Sequence, residues 1–179
     1  MSSSDRGRLF RRRAPGLAIL VALGLGLGAC TVQPVYGPEP GGGTVKATLS
    51  GVAVDPVGER VGQVVRNRLL FQLTGGESEA ANPQYRMHLS VTSKEAGLGI
   101  TSIESAPVYS VTVAATYELK RVDTGATVLK STSRSSASYN SVNQVFANTR
   151  AKIDAENRAA TQVANDIASR VAAAVAKGL

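Results

Sequence analysis

Strict alternation of apolar and polar residues governs the second half of the chain. Tyr85, Met87, Leu89 and Val91 alternate with Arg86, His88, Ser90 and Thr92, and after Pro107 a longer run sets Tyr109, Val111, Val113, Ala115, Tyr117 and Leu119 on one face. A period of two is the mark of a half-buried strand, because successive side chains point to opposite faces of a sheet. Asp123-Thr124-Gly125 supplies turn chemistry and a hydroxyl-rich run follows from Val128 to Tyr139, so residues 108–139 predict a long hairpin. In its second arm Ser131, Ser133, Ser135, Ser136 and Ser138 leave little apolar surface, which suits an edge strand wet on at least one face. Glu95 to Ala106, with two glycines, reads as a mobile connection.

The flanking segments complete the pattern. Thr44 to Val54 reads as a strand, with Val45, Ala47 and Leu49 alternating and the register shifting at Gly51. Asp55-Pro56 has the form of an N-cap followed by proline at the first helical position. The helix it opens carries Val57, Val61, Val64, Val65 and Leu69 on one side, runs to Leu73 and stops at Gly75-Gly76. Arg68 falls among those valines; it reads either as a side chain snorkelling at the rim of the stripe or as a contact for a partner or lipid phosphate. Asn140 or Ser141 can cap a last helix running to about Lys177, whose stripe takes in Val142, Val145, Phe146, Ile153, Ala160, Val163, Ile167, Val171 and Val175. Asp154 with Arg158 and Asp166 with Arg170 form acid-first pairs four residues apart on its solvent side.

Residues 1–29 read as an export signal. Arg6, Arg8, Arg11, Arg12 and Arg13 precede the apolar run Leu17 to Leu27. As a helix those eleven residues reach about 16 Å, against a hydrocarbon core of about 30 Å, so the run is too short for a permanent span. Leu27-Gly28-Ala29-Cys30 resembles the bacterial lipobox, which implies that Cys30 takes a diacylglyceryl thioether and, once cleaved, an acyl chain on its amine. Several chains on one residue hold a membrane persistently where one does not. The other reading is an ordinary signal ahead of a free thiol. Thr31 is not the aspartate that retains lipoproteins at the inner membrane, which points to the periplasmic face of the outer membrane. Residues 30–43 then form a lipidated cysteine and a proline- and glycine-rich tether, and 44–179 a single domain.

Composition removes several classes of function. Five arginines and one aspartate belong to the signal, which leaves fifteen basic and twelve acidic side chains, so the formal charge of +7 falls to +3 and is no nucleic-acid footprint. Cys30 is the only cysteine, so no disulfide can form within the chain. His88, the only histidine, lies on the polar side of a strand with no second ligand for a metal, and reads as a solvated surface residue. No Gly-x-Ser-x-Gly, Walker-type loop or paired-histidine motif occurs, and the serines lack a basic partner. Neither a cofactor nor an enzyme is expected.

The order of lipidated cysteine, tether, strand, helix, three strands and long helix resembles the lipopolysaccharide-assembly lipoprotein family LptE, in the form that begins Pro-x-Tyr-Gly after the lipid. Pro34-Val35-Tyr36-Gly37 matches that start; Gly62-Gln63-Val64-Val65-Arg66-Asn67-Arg68-Leu69, Ala115-Thr116-Tyr117-Glu118-Leu119 and Ser138-Tyr139-Asn140 match further on. The resemblance implies an α+β fold: two helices packed on one face of a four-stranded, mostly antiparallel sheet, in the order β-α-β-β-β-α. It also implies a plug-like partner of the barrel LptD that helps deliver lipopolysaccharide to the outer leaflet, with basic residues at one sheet edge touching its phosphates. No catalytic residues carry over. Lys130 and Arg134 suit a polar barrel lumen or anionic headgroups, and equally a solvated edge; with Arg68 they are the candidate contacts. Two other classes stay open: an auxiliary lipoprotein of a lipid-trafficking ABC system, and a cell-wall enzyme, which needs a cleft with convergent carboxylates.

Overall fold

A computed structural model describes residues 45–98 and 107–179, so the expected export signal of residues 1–29, Cys30, the expected tether and most of the Glu95–Ala106 connection lie outside the described residues. Among the described residues three helices and four strands follow one another: α1 (Val45–Ser50), β1 (Val52–Val54), α2 (Arg60–Thr74), β2 (Tyr85–Leu98), β3 (Val108–Arg121), β4 (Thr127–Asn140) and α3 (Val145–Ala176). The strands lie side by side in sequence order. β1 pairs parallel with β2 through Val52↔Tyr85 to Val54↔Met87; β2 with β3, and β3 with β4, are antiparallel along their length. The fold is α+β, and β4 is an edge strand as its serines required.

Several boundaries differ from the sequence reading. The stretch from Thr44 is not one strand: Val45 and Leu49 are four residues apart, which is as much a helical spacing as an alternating one, and both are buried as the inner face of α1. Helix α2 begins at Arg60, not after Asp55, because the Asp55 carboxylate is taken up by Arg86 at 3.2 Å and by the His88 ring instead of capping a helix. Its end is as expected: Gly75 adopts φ 68°, a left-handed conformation that a β-carbon disfavours, and its N–H reaches the Phe71 carbonyl. β2 continues past Thr92 to Leu98, so the first residues read as a mobile connection are strand. Asn140 still belongs to β4 and α3 starts after Gln144; Val145 and Phe146, expected on the buried stripe, are 85% and 76% exposed, and Val142 is exposed too.

The core lies between one face of the sheet and the helices. Met87, Val111, Val113, Ala115, Tyr117 and Leu119 meet Val65 and Leu69 of α2, and Val163, Ile167 and Val171 of α3. Each such valine or isoleucine, fully buried, contributes about 1.5–3 kcal/mol. The buried stripe of α3 is rich in alanine, at 155, 159, 160, 164, 168 and 172, which lets the helix lie close over a strand whose inward side chains are serines. Arg170 Nη1 donates to Ser131 Oγ at 3.3 Å and Arg158 Nη2 to the Ser138 carbonyl at 2.9 Å, tying the helix to β4. Both arginines also hold their expected acids, Asp154 at 2.8 Å and Asp166 at 3.0 Å. No helix among the described residues is long and apolar enough to cross a membrane.

Candidate functional site

Helices cover one face of the sheet; the even-numbered residues of β2, β3 and β4 form the other. The register aligns them in rows: His88, Glu118 and Lys130; Ser90, Thr116 and Thr132; Thr92, Ala114 and Arg134; Lys94, Thr112 and Ser136. On this face the strands carry the cations Arg86, Lys94, Lys120, Lys130 and Arg134 against one carboxylate, Glu118. On β2 and β3 the inward phase is held by core residues such as Met87, Val111 and Leu119, and on β4 by small serines under α3, so alternation sends every one of these charges outward.

The charges divide into a neutralised end and an unpaired one. Near β1, Asp55 engages Arg86 and His88, while Glu118 accepts from Thr127 Oγ1 at 2.7 Å and lies 3.5 Å from Lys120 Nζ. The Thr127 hydroxyl, against the opposing effect of burial and with lesser help from Lys120 and Lys130, holds the Glu118 carboxyl below its usual range. Lys130, in the row of Glu118, and Lys94 and Arg134 further along form no ion pair among the described residues, and all three are exposed. Lys94 and Arg134 stand on the strands either side of β3, about 12 Å apart from strand and residue spacing. Between them the middle strand offers short side chains, Thr112, Ala114 and Thr116. Thr112 Oγ1 bonds Ser136 Oγ at 2.8 Å and Thr116 Oγ1 bonds Thr132 Oγ1 at 3.2 Å.

The result is a shallow trough with a hydroxyl floor and cationic walls. At its neutralised end a depression of about 390 Å³ opens among Asp55, His88, Ser90, Glu118 and Lys130. Such a surface can bind phosphates or carboxylates through charge-assisted hydrogen bonds and sugar hydroxyls through the threonines and serines. No group of three His, Cys, Asp or Glu side chains able to hold a metal occurs among the described residues.

Of the sequence-derived candidates, Lys130 and Arg134 stand together on β4. Arg68 is not with them: it is exposed on α2, its guanidinium 5.8 Å from the Phe71 ring, so it flattens over an exposed aromatic as a surface arginine does. Cys30 lies outside the described residues. Lys94 lies between the alternation read through Thr92 and the connection read from Glu95; carrying the phase of Ser90 and Thr92 two residues further finds it.

The comparison with known proteins decides the family. The family model for lipopolysaccharide assembly, LptE, matches residues 48–171. The chain belongs to the LptE family. Among solved structures, this LptE-family chain superposes on a lipoprotein of Caulobacter crescentus CB15 with a TM-score of 0.63 and 24% identity, covering 75% of this chain and 97% of that one. It also superposes on a minor lipoprotein of Acinetobacter baumannii with a TM-score of 0.56 and 12% identity, covering 68% and 90%. At those identities the likeness is one of fold. No curated protein matches the sequence.

Proposed function

We propose that this LptE-family protein is a lipid-anchored, non-catalytic component of lipopolysaccharide assembly at the periplasmic side of the outer membrane. Cys30 carries the lipid, the domain docks against the barrel LptD, and the trough on the open face holds the anionic groups of lipopolysaccharide on their way to the surface. The observation that supports this reading best is the group of unpaired cations, Lys94, Lys130 and Arg134, over a hydroxyl floor, in a chain of the lipopolysaccharide-assembly family. Ion pairs left unmade within the protein are free to form with a ligand, and three of them around one trough fit an amphiphile with several phosphates.

A photo-crosslinking residue in place of Thr132, which lies on the trough floor beside both β4 cations, tests the partner in cells. Capture of a large outer-membrane barrel together with lipopolysaccharide is expected. Capture of a transporter subunit in its place would assign the protein to the auxiliary lipoproteins of ABC systems. The anchor is tested apart from the partner: Cys30→Ser should abolish incorporation of labelled fatty acid, and unchanged labelling refutes it.

A further inference from the structure

The two margins of the sheet are finished differently. At β1 the Val54 N–H donates to Glu79 Oε1 at 2.9 Å and the Val54 carbonyl accepts from Arg66 Nε at 3.0 Å, so side chains already satisfy that edge. At β4 the Ser141 N–H points inward to the Pro107 carbonyl at 2.8 Å. With Val108↔Asn140 and Tyr109↔Tyr139 in register, that bond turns the backbone groups of odd-numbered β4 residues toward β3 and those of even-numbered residues outward. Lys130, Thr132, Arg134 and Ser136 therefore present N–H and C=O groups beyond the sheet. The next outward carbonyl, of Ser138, is held by Arg158.

Of the usual devices that blunt an edge, charge is the one this stretch carries. Residues 129–138 contain no proline, their register is regular, and the inward side chains Ser131, Ser133, Ser135 and Ala137 are small and uncharged. What the edge does carry is Lys130 and Arg134, four residues apart on the open side, about 14 Å along the strand. A second copy added antiparallel about Thr132 sets Lys130 of each chain against Arg134 of the other, and directly opposed like charges are destabilising. A strand with carboxylates at the same spacing gains two cross-strand ion pairs instead. The outer edge of β2 beyond Met87 offers no such choice of sign, since Arg60, Glu95, Lys152 and Glu156 of both charges flank it.

We propose that the outer edge of β4 is a strand-addition site for an extended acidic segment of a partner protein, with two of its carboxylates, four residues apart, facing Lys130 and Arg134. The site lies at the margin of the sheet and uses outward backbone groups; it shares Lys130 and Arg134 with the trough, but the backbone pairing stands whether or not the trough holds lipopolysaccharide.

The full-length chain in detergent, titrated with short threonine- and valine-rich peptides, tests it. One peptide carries glutamates four residues apart, one carries lysines there, and one is the glutamate peptide N-methylated at the glutamates and at every second residue between. The glutamate peptide is expected to bind and to slow amide hydrogen exchange at Thr132, Arg134 and Ser136, leaving Ser133 and Ser135, already paired with β3, unchanged. The lysine and N-methylated peptides should not bind. Lys130→Glu with Arg134→Glu should reverse the preference, by about fivefold or more for two opposed charge pairs, and binding of the lysine peptide shows that this variant is folded. Equal binding of the N-methylated peptide, or no protection at the outward amides, overturns the proposal.

Discussion

Asn148 brackets Val142: its Oδ1 accepts the Val142 N–H at 2.8 Å while its Nδ2 donates to the Val142 carbonyl at 2.7 Å. The pair fixes the chain between β4 and α3, where Gln144 makes no capping bond of its own. Asn148→Ala removes both bonds, and since they lie at the surface the loss should be about 1–2 kcal/mol. Asn148→Asp keeps the acceptor and loses the donor, so its denaturant midpoint should fall between wild type and alanine. Equal midpoints for all three proteins would show that the bracket contributes nothing.

Glu95, Tyr139 and Lys152 join β2, β4 and α3 at the far end of the sheet. Lys152 Nζ lies 2.7 Å from Glu95 Oε2, the Tyr139 hydroxyl donates to Glu95 Oε1, and the Tyr139 ring stacks on Tyr109 with centroids 5.5 Å apart. The hydrogen bond from Lys152, then that from Tyr139, holds the Glu95 carboxyl below 4.5; the carboxylate in turn pushes the Tyr139 hydroxyl up to about 12. A depressed acid stabilises the fold above its unfolded value, and that contribution is lost as pH falls through the lowered one. A raised phenol stabilises below its unfolded value of about 10 and loses the contribution as pH rises toward 12. Burial raises Tyr117 as well. In a phenolate titration Glu95→Gln should therefore bring Tyr139 down and leave Tyr117 high.

Gly62 lies on the buried face of α2, where an added β-carbon would overlap Val57 Cγ1 and come within 3.3 Å of Val57 Cβ. Alanine is favoured over glycine inside a helix by about 1 kcal/mol, but overpacking costs about 1–3 kcal/mol, and here the overlap is the larger effect. Gly62→Ala should lower stability. Val57→Ala on that background should restore part of the loss, since the two residues compete for one space. Strict additivity of the two changes would rule out the clash.

What could be read from the chain follows from how much each pattern was constrained. The strands from Tyr85 and Val108 were legible because a one-residue slip would turn Met87, Val111 or Leu119 outward, so burial enforces the phase, and the strand from Thr127 was legible through the turn at Asp123-Thr124-Gly125 that precedes it. Helix ends were less legible, since they depend on side chains far away in sequence: Asp55 is claimed by Arg86 and His88 across 31 residues or more, and no local rule reveals that. Val45 and Leu49 fit two periods at once. Val145 and Phe146 keep the phase of the α3 stripe, yet its buried residues begin only at Ala155. The site was half visible: Lys130 and Arg134 stood out as cations among serines, whereas Lys94 needed the phase of β2 carried past Thr92, and its place across β3 from Arg134 comes from the antiparallel register.

Neutralising the trough separates its cations from basic residues elsewhere. Lys94→Gln, Lys130→Gln and Arg134→Gln together remove the three cations without an ion-pair partner and leave the Thr112–Ser136 and Thr116–Thr132 bonds of the floor in place. Exposed charge contacts contribute about 0.2–1 kcal/mol each, so the triple variant should bind purified lipopolysaccharide about threefold to a hundredfold more weakly. The gap should narrow as salt is raised from 0.1 M toward 1 M, because the screening length shrinks from about 10 Å to about 3 Å. Arg68→Gln is the control: it removes a cation of the same sign from α2, outside the trough, and should bind as wild type does. If Arg68→Gln weakens binding as much as the triple variant, the attraction belongs to the net charge of the protein and the trough has no special part in it.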